Sequence, residues 1–322
     1  MTKKERLQKL TNDNGVVAAM AIDQRGSLGK ALTKSLGREA TADEISLFKS
    51  VCVEVLTPYA SAVLLDSQYG LPALEKKSET AGVLLAYEKT GYDATMAGRL
   101  PDLLDGYSVA KLREEGADAV KLLVYYDPFD TDEINNQKRH FVARVGEECK
   151  REEMPFFFEV VSYSDTIGDE KSLEFAKRKP EIVAAYMKEF SDARYGIDVL
   201  KVEIPINIKY VQGSSVAGEE YAYTRAEALQ HIKNTATATH LPFIYLSAGV
   251  TIDSFLESLA LVREGGVKYN GVLCGRATWQ DGIAAFGTGG EDGLRIWLEE
   301  YGVRNIQRVN EELEKGASGL LG

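Results

Sequence analysis

Short apolar runs recur at even spacing along the chain, and polar stretches with helical periodicity separate most of them. The runs predict eight strands: Val16–Asp23, Ala62–Asp66, Gly82–Tyr87, Ala119–Tyr125, Phe156–Val161, Val199–Ile206, Phe243–Ser247 and Gly271–Cys274. The segments between them carry helix start signals. Thr41-Ala-Asp-Glu44 has the form of a capping box, and Ile45, Phe48, Cys52, Val55 and Leu56 follow it on one stripe. Asp130-Thr-Asp-Glu133 opens a long polar helix to about Glu153, and Thr224-Arg-Ala-Glu227 repeats the capping-box pattern. Ser108 and Thr251 are caps for two more helices, and Pro180 is expected in the first turn of another, where proline is tolerated. The stretch from Glu291 to about Lys315 reads as two closing helices, and Gln212–Glu219 as a mobile loop after the sixth strand.

Strands that alternate with helices pair in parallel, because each crossover returns the chain to the same end of the sheet. Eight such units predict a closed (β/α)8 barrel, with additional helices at the two termini, as a single domain over residues 1–322. No GxGxxG follows the first strand, which weakens a dinucleotide-binding open sheet. No linker rich in Pro, Gly or Ser marks a domain boundary.

The barrel changes the meaning of charges inside strands. Lys121, Glu159 and Lys201 each stand in an otherwise apolar run. In an antiparallel sheet they would simply face solvent. In a parallel barrel helices cover the outer face, so such residues point into the barrel or its mouth. Buried charges then pair with one another or take part in chemistry. Desolvation, with Lys121 as a neighbouring cation, would favour a free amine at Lys201. A free amine attacks a ketone to form an imine, an electron sink for cleavage of the adjacent carbon–carbon bond. That reaction needs a proton shuttle, for which Glu159 is the preferred candidate. Glu203, on the same face as Lys201 by the period of two, is the alternative.

Strands seven and eight end in small-residue turns, Leu246-Ser-Ala-Gly249 and Cys274-Gly-Arg-Ala277. Loops at these positions of a (β/α)8 enzyme often hold a phosphate with backbone amides. Ser247 would add a hydroxyl and Arg276 a bidentate contact, while Gly249 and Gly275 would admit close approach, if they do not merely serve tight turns. Asp23-Gln24-Arg25-Gly26, after strand one, forms a polar cluster that could bind sugar hydroxyls, with Arg25 near a second anion, or be an ordinary surface loop.

Composition narrows the function classes. A chain of 322 residues, 44% hydrophobic and 27% charged, has the make-up of a globular protein. No stretch nears the roughly 18 apolar residues of a membrane span. The charged segment Met1–Leu10 lacks the apolar core of a signal peptide, so a cytoplasmic location is expected. Cys52, Cys149 and Cys274 have no CxxC spacing, which argues against a disulfide framework and a cysteine-built zinc site. The three histidines form no HxH or HxxxH pair, and a catalytic zinc would need nearly all of them, so neither metal nor cofactor is expected. A net charge of −11 disfavours nucleic acid as a partner but not a small anionic substrate. Oligomeric state stays open, a homo-oligomer included.

The motifs Ala21-Ile-Asp-Gln-Arg-Gly26, Asp198-Val-Leu-Lys-Val-Glu203, Tyr245-Leu-Ser-Ala-Gly-Val250 and Gly271-Val-Leu-Cys-Gly-Arg-Ala-Thr-Trp279 resemble those of the bacterial class I tagatose 1,6-bisphosphate aldolase family, and the likeness runs along nearly the whole chain. The resemblance implies a Schiff-base lysine at Lys201, a general acid/base at Glu159, and Lys121 orienting both. It implies that Asp23 and Gln24 contact the sugar and that Ser247, Gly249, Gly275 and Arg276 hold the phosphate of the dihydroxyacetone phosphate half. The implied reaction is metal-free, reversible cleavage of a phosphorylated ketose, D-tagatose 1,6-bisphosphate, with fructose 1,6-bisphosphate as an additional substrate. The similar aldolases that cleave 6-deoxy-6-sulfofructose 1-phosphate offer a second substrate, and a metabolite sensor on this scaffold is a reading of another class.

Overall fold

The computed structural model describes residues 1–89 and 96–321. Its strands are β1 (Val17–Ala21), β2 (Ala62–Asp66), β3 (Gly82–Ala86), β4 (Ala119–Tyr126), β5 (Phe156–Ser162), β6 (Val199–Glu203), β7 (Phe243–Leu246) and β8 (Gly271–Cys274). All eight expected runs are strands, and most differences lie at their C-terminal ends. β1 stops at Ala21 because Asp23, Gln24 and Arg25 turn away into the mouth, and β6 stops two residues before Pro205. The strands pair in parallel in sequence order, and β1 pairs with β8 to close the barrel. That closure needs glycine at 271, which has φ +128°, since a Cβ there would lie 2.0 Å from the Val17 carbonyl oxygen.

Alternate strand residues fill the barrel. Val17, Ala19 and Ala21 of β1 meet Ala62 and Leu64 of β2, Leu84 and Ala86 of β3, Ala119, Phe157, Val199, Ile244 and Leu273. Leu10 and Leu320 close the N-terminal end of this cluster. Residues of the opposite parity, such as Met20, Val63, Leu122, Phe158, Val202 and Val272, pack outward against the helices. Both faces are buried, so the strands read as continuous apolar runs rather than as alternation.

The helix Ala42–Leu56 begins at the capping box expected at Thr41, and Arg225–Ala236 at the one expected at Thr224. Ser108 and Thr251 cap helices as expected, and the polar helix spans Asp132–Arg151 with Thr131 as its cap. The expectation for Pro180 is corrected. Its helix spans Leu173–Glu189, capped by Ser172, and the proline is interior. Proline lacks the N–H that would bond the carbonyl four residues earlier. That carbonyl, on Ala176, instead accepts from the Tyr223 hydroxyl. The first closing helix begins where expected, after a break at Gly290 (φ +60°) that parts it from a preceding helical segment starting at Gly282; it runs to Trp297, and a π turn leads into Val303–Gly316. The stretch expected to be a mobile loop is tied down at its start and near its middle. Gln212 N–H donates to the Tyr223 carbonyl (2.9 Å), and Ser215 Oγ donates to Glu257 (2.5 Å). Cys52, Cys149 and Cys274 are buried and unpaired. Among the described residues, no helix is long and apolar enough to cross a membrane.

Candidate active site

The inward series on three adjacent strands continues upward from an apolar floor to charge. Two residues beyond Ala119, Phe157 and Val199 stand Lys121, Glu159 and Lys201, each placed inward by the period of two. Glu159 and Lys201 are register partners across β5 and β6. The Oε2 atom of Glu159 lies 2.8 Å from Nζ of Lys201 and 2.8 Å from Nζ of Lys121. Both contacts are ion pairs. All three residues are buried: Lys121 is 0% exposed, Lys201 3% and Glu159 6%. One carboxylate oxygen thus meets two ammonium groups.

Lys121 is also 2.7 Å from Glu88 Oε1 and 2.9 Å from Asp23 Oδ2. Burial opposes its charge, but Asp23, Glu159 and Glu88 outweigh burial and hold its pKa well above the ordinary lysine value. Lys121 is therefore a fixed cation, the hub of three carboxylates, and it shares Glu159 with Lys201. Burial likewise works against the Asp23 carboxylate, yet Lys121, Lys201 and Lys49 keep its pKa well below the usual range. Glu88 goes the other way, because its burial prevails over Lys121 and Arg25.

Gln24 donates to Asp23 Oδ1 (3.3 Å), and its own Oε1 is buried without a hydrogen-bond partner among the described residues. Arg25 is turned toward Glu88: Nη2 donates to the Glu88 carbonyl (2.8 Å) and lies 3.7 Å from its carboxylate. Among the described residues, its Nε and Nη1 are buried and have no hydrogen-bond partner. The residue lines a groove of about 660 Å³ together with Gly26, Gly29, Lys30, Gln68 and Tyr69. A buried guanidinium with unpartnered donors on two nitrogens beside a groove is chemically suited to an anion.

The turns after β7 and β8 meet. Ala248 and Gly249 have φ of +49° and +69°, and Val250 N–H closes the turn onto the Ser247 carbonyl (3.1 Å). Ser247 Oγ accepts from the Gly275 N–H at 3.4 Å, joining the two turns. The Arg276 guanidinium is exposed and rests on Gly249, where a Cβ would stand 2.4 Å from Nη2. Among the described residues Arg276 has no carboxylate partner, so its charge faces the mouth uncompensated. Trp279 seats this turn against the barrel: its Nε1 donates to the Ala21 carbonyl (2.9 Å), and its ring meets Phe48 edge-on.

The structure brings Lys121, Glu159, Lys201, Asp23, Gln24 and Arg25 to one end of the barrel, with Ser247, Gly249, Gly275 and Arg276 at the strand ends beside them. Glu203 is not part of this group. Its carboxylate accepts from the Ser162 N–H (2.7 Å) and pairs with Lys179 (3.1 Å), which draws it away from the barrel axis. Sequence reasoning missed Glu88, although a carboxylate directly after the apolar run Gly82–Tyr87 was the available signal. It also missed Lys49, which sits on the apolar stripe of its helix, four residues after Ile45 and three before Cys52. Among the described residues, no group of three or more His, Cys, Asp or Glu side chains could hold a metal ion.

Comparison with known proteins places the chain in a family. The description DeoC/LacD family aldolase matches residues 17–281. A tagatose 1,6-diphosphate aldolase of Listeria monocytogenes is 50% identical over 315 residues, covering 98% of this chain and 92% of that protein. One from Staphylococcus aureus is 49% identical over 312 residues, covering 97% of this chain and 95% of that protein. A fructose-bisphosphate aldolase from Plasmodium falciparum, solved with TRAP and a small-molecule inhibitor, superposes with a TM-score of 0.71 at 14% identity, covering 98% of this chain and 95% of that one. A Schiff-base-forming fructose-1,6-bisphosphate aldolase superposes with a TM-score of 0.55 at 17% identity, covering 93% and 99%. The two superpositions show the barrel fold alone. With the family match over most of the chain and relatives at half identity, the chain belongs to the DeoC/LacD family of aldolases and is a carbon–carbon lyase.

Proposed function

We propose that this chain reversibly cleaves D-tagatose 1,6-bisphosphate to dihydroxyacetone phosphate and D-glyceraldehyde 3-phosphate through an imine on Lys201. The observation that carries the reading is the single carboxylate of Glu159, 2.8 Å from both Lys201 and Lys121. Glu159 takes a proton from Lys201, whose amine then attacks C2 of the ketose. The carbinolamine loses water as Glu159 returns the proton, giving the protonated imine. Glu159, again a carboxylate, takes the C4 hydroxyl proton as the C3–C4 bond breaks; the electron pair passes into the imine to give an enamine, and the aldehyde leaves. Glu159 returns that proton to C3 of the enamine, and hydrolysis of the imine then releases dihydroxyacetone phosphate and restores the amine.

The other residues take places that fit this course. Lys121, held as a cation, fixes the same Glu159 oxygen that Lys201 approaches. Asp23, held as a carboxylate, accepts from a sugar hydroxyl, and the unpartnered Gln24 Oε1 takes another. Ser247, Gly249, Gly275 and Arg276 receive the phosphate on C1, and the spare N–H groups of Arg25 receive the one on C6. The relatives named tagatose 1,6-diphosphate aldolase favour this substrate.

Incubation with dihydroxyacetone phosphate and borohydride is expected to leave a reduced adduct on the Lys201 peptide, found by mass spectrometry. An unmodified Lys201 peptide would sink the reading. Comparing kcat/KM for tagatose 1,6-bisphosphate, fructose 1,6-bisphosphate and 6-deoxy-6-sulfofructose 1-phosphate tests the substrate. The highest value is expected for the first, and a higher value for the sulfonate would replace it.

A further inference from the structure

Lys49 stands on the buried face of the helix Ala42–Leu56, among Ile45, Phe48, Cys52 and Leu56, and is 0% exposed. Its Nζ donates to the Ile22 carbonyl (2.6 Å) and pairs closely with the Asp66 carboxylate. These partners lie at the C-terminal ends of two adjacent strands. Ile22 immediately precedes Asp23, and Asp66 is the last residue of β2. The other oxygen of Asp66 accepts from the N–H groups of Gln68 (3.0 Å) and Tyr69 (2.8 Å). One ammonium therefore ties the start of the Asp23-Gln24-Arg25 segment to the start of the Gln68–Tyr69 turn. Arg25 lines one wall of the groove beside the site, and Gln68 and Tyr69 line the other.

Stability alone gives no reason for this pair. A buried ion pair is generally matched or exceeded in stability by apolar side chains of the same volume, and the stripe around Lys49 is apolar. What an apolar side chain could not supply is a donor for the Ile22 carbonyl. We infer that Lys49 is a positioning residue for the aldol cleavage: by holding the Ile22 carbonyl and the Asp66 carboxylate together, it sets Asp23 against Lys121 and keeps the two groove walls in register. The inference rests on the imine mechanism proposed above. Lys49 touches no reacting atom and acts through Asp23, which it faces together with Lys121 and Lys201.

Two double variants test it. Lys49→Met with Asp66→Asn removes the donor, and Lys49→Gln with Asp66→Asn keeps an N–H at that place. Asparagine still accepts from Gln68 and Tyr69, and neither variant leaves a lone buried charge. Misplacement of groups at a site by about 1 Å can lower rates by about a hundredfold. The methionine variant is accordingly expected to lose on the order of tenfold or more in kcat, with a smaller rise in KM. Its adduct with dihydroxyacetone phosphate and borohydride should persist, and its thermal midpoint should stay near that of the unaltered protein. The glutamine variant should regain a large part of the lost kcat. Unaltered kcat and KM in the methionine variant, or the same loss in both variants, would overturn the role of Lys49. Failure of the unaltered protein to form the adduct would instead refute the imine mechanism, so the two failures are told apart.

Discussion

Lys121 and Lys138 are both fully buried lysines, and their surroundings push them in opposite directions. Three carboxylates overcome burial at Lys121, whereas burial prevails at Lys138 over Asp130, Asp127 and Asp165 and lowers its pKa to about 8. The Lys138 ammonium donates to Tyr163 Oη (2.9 Å) and lies 4.5 Å from the centre of that ring. Its folded pKa is below the unfolded value near 10.4, so between these limits the unfolded chain binds more protons. Stability should therefore rise as pH increases from about 8 toward 10.4. In Lys138→Met this contribution is gone, and the slope of unfolding free energy against pH in that window should be flatter than in the unaltered protein, as read by denaturant titrations. An unchanged slope would show that Lys138 is not held neutral more readily in the fold. The same contrast explains what could be read from sequence. Lys201, Glu159 and Lys121 stand out because each interrupts an apolar strand, but Lys49 interrupts a helix stripe, where a lysine can swing its head to solvent. Only the packing of that helix on β1 and β2 shows that it does not.

Among the elements, strands were more legible than helix limits. A strand buried on both faces must be apolar throughout, which leaves a run in the sequence that little else produces. Helix starts with a side-chain cap, at Thr41, Ser108, Thr224 and Thr251, were also plain. The helix Gly26–Leu36 was not foreseen, because Arg25 makes no capping bond and only Leu28 and Leu32 are buried. Pro180 misled for a physical reason: its usual place in the first turn avoids a missing hydrogen bond, whereas here Tyr223 fills the gap from a distant segment. Tyr223→Phe would leave the Ala176 carbonyl buried and unpaired. The expected loss is about 1–3 kcal/mol of unfolding free energy, with kcat nearly unaltered. Pro180→Ala in the same background should restore most of that loss, since alanine returns the helical N–H, and no recovery would show the Tyr223 bond to be incidental.

At the scale of the whole molecule the barrel separates stability from chemistry. Its N-terminal end is closed by Leu10 and Leu320, and Leu320 N–H bonds the Gly15 carbonyl (2.7 Å). Leu320→Ala should cost about 2–5 kcal/mol in denaturant unfolding, while kcat at the opposite end changes little. A large fall in kcat without a fall in stability would contradict this division. The sequence by itself determined the parallel eight-stranded architecture and the inward direction of Lys121, Glu159 and Lys201, because strand period and two-sided burial are local constraints written in consecutive residues. It also marked the glycine-containing turns after β7 and β8. Tertiary structure decided which charges meet. Sequence period allowed Glu159 and Glu203 alike to accompany Lys201, and the register of β5 with β6 placed Glu159 at 2.8 Å while Ser162 and Lys179 took Glu203. It likewise placed Glu88 and Asp23 on Lys121, and Lys49 between β1 and β2. These are contacts between segments tens of residues apart, and coulombic and hydrogen-bonding energies depend on distances of a few ångströms that only the closed barrel fixes.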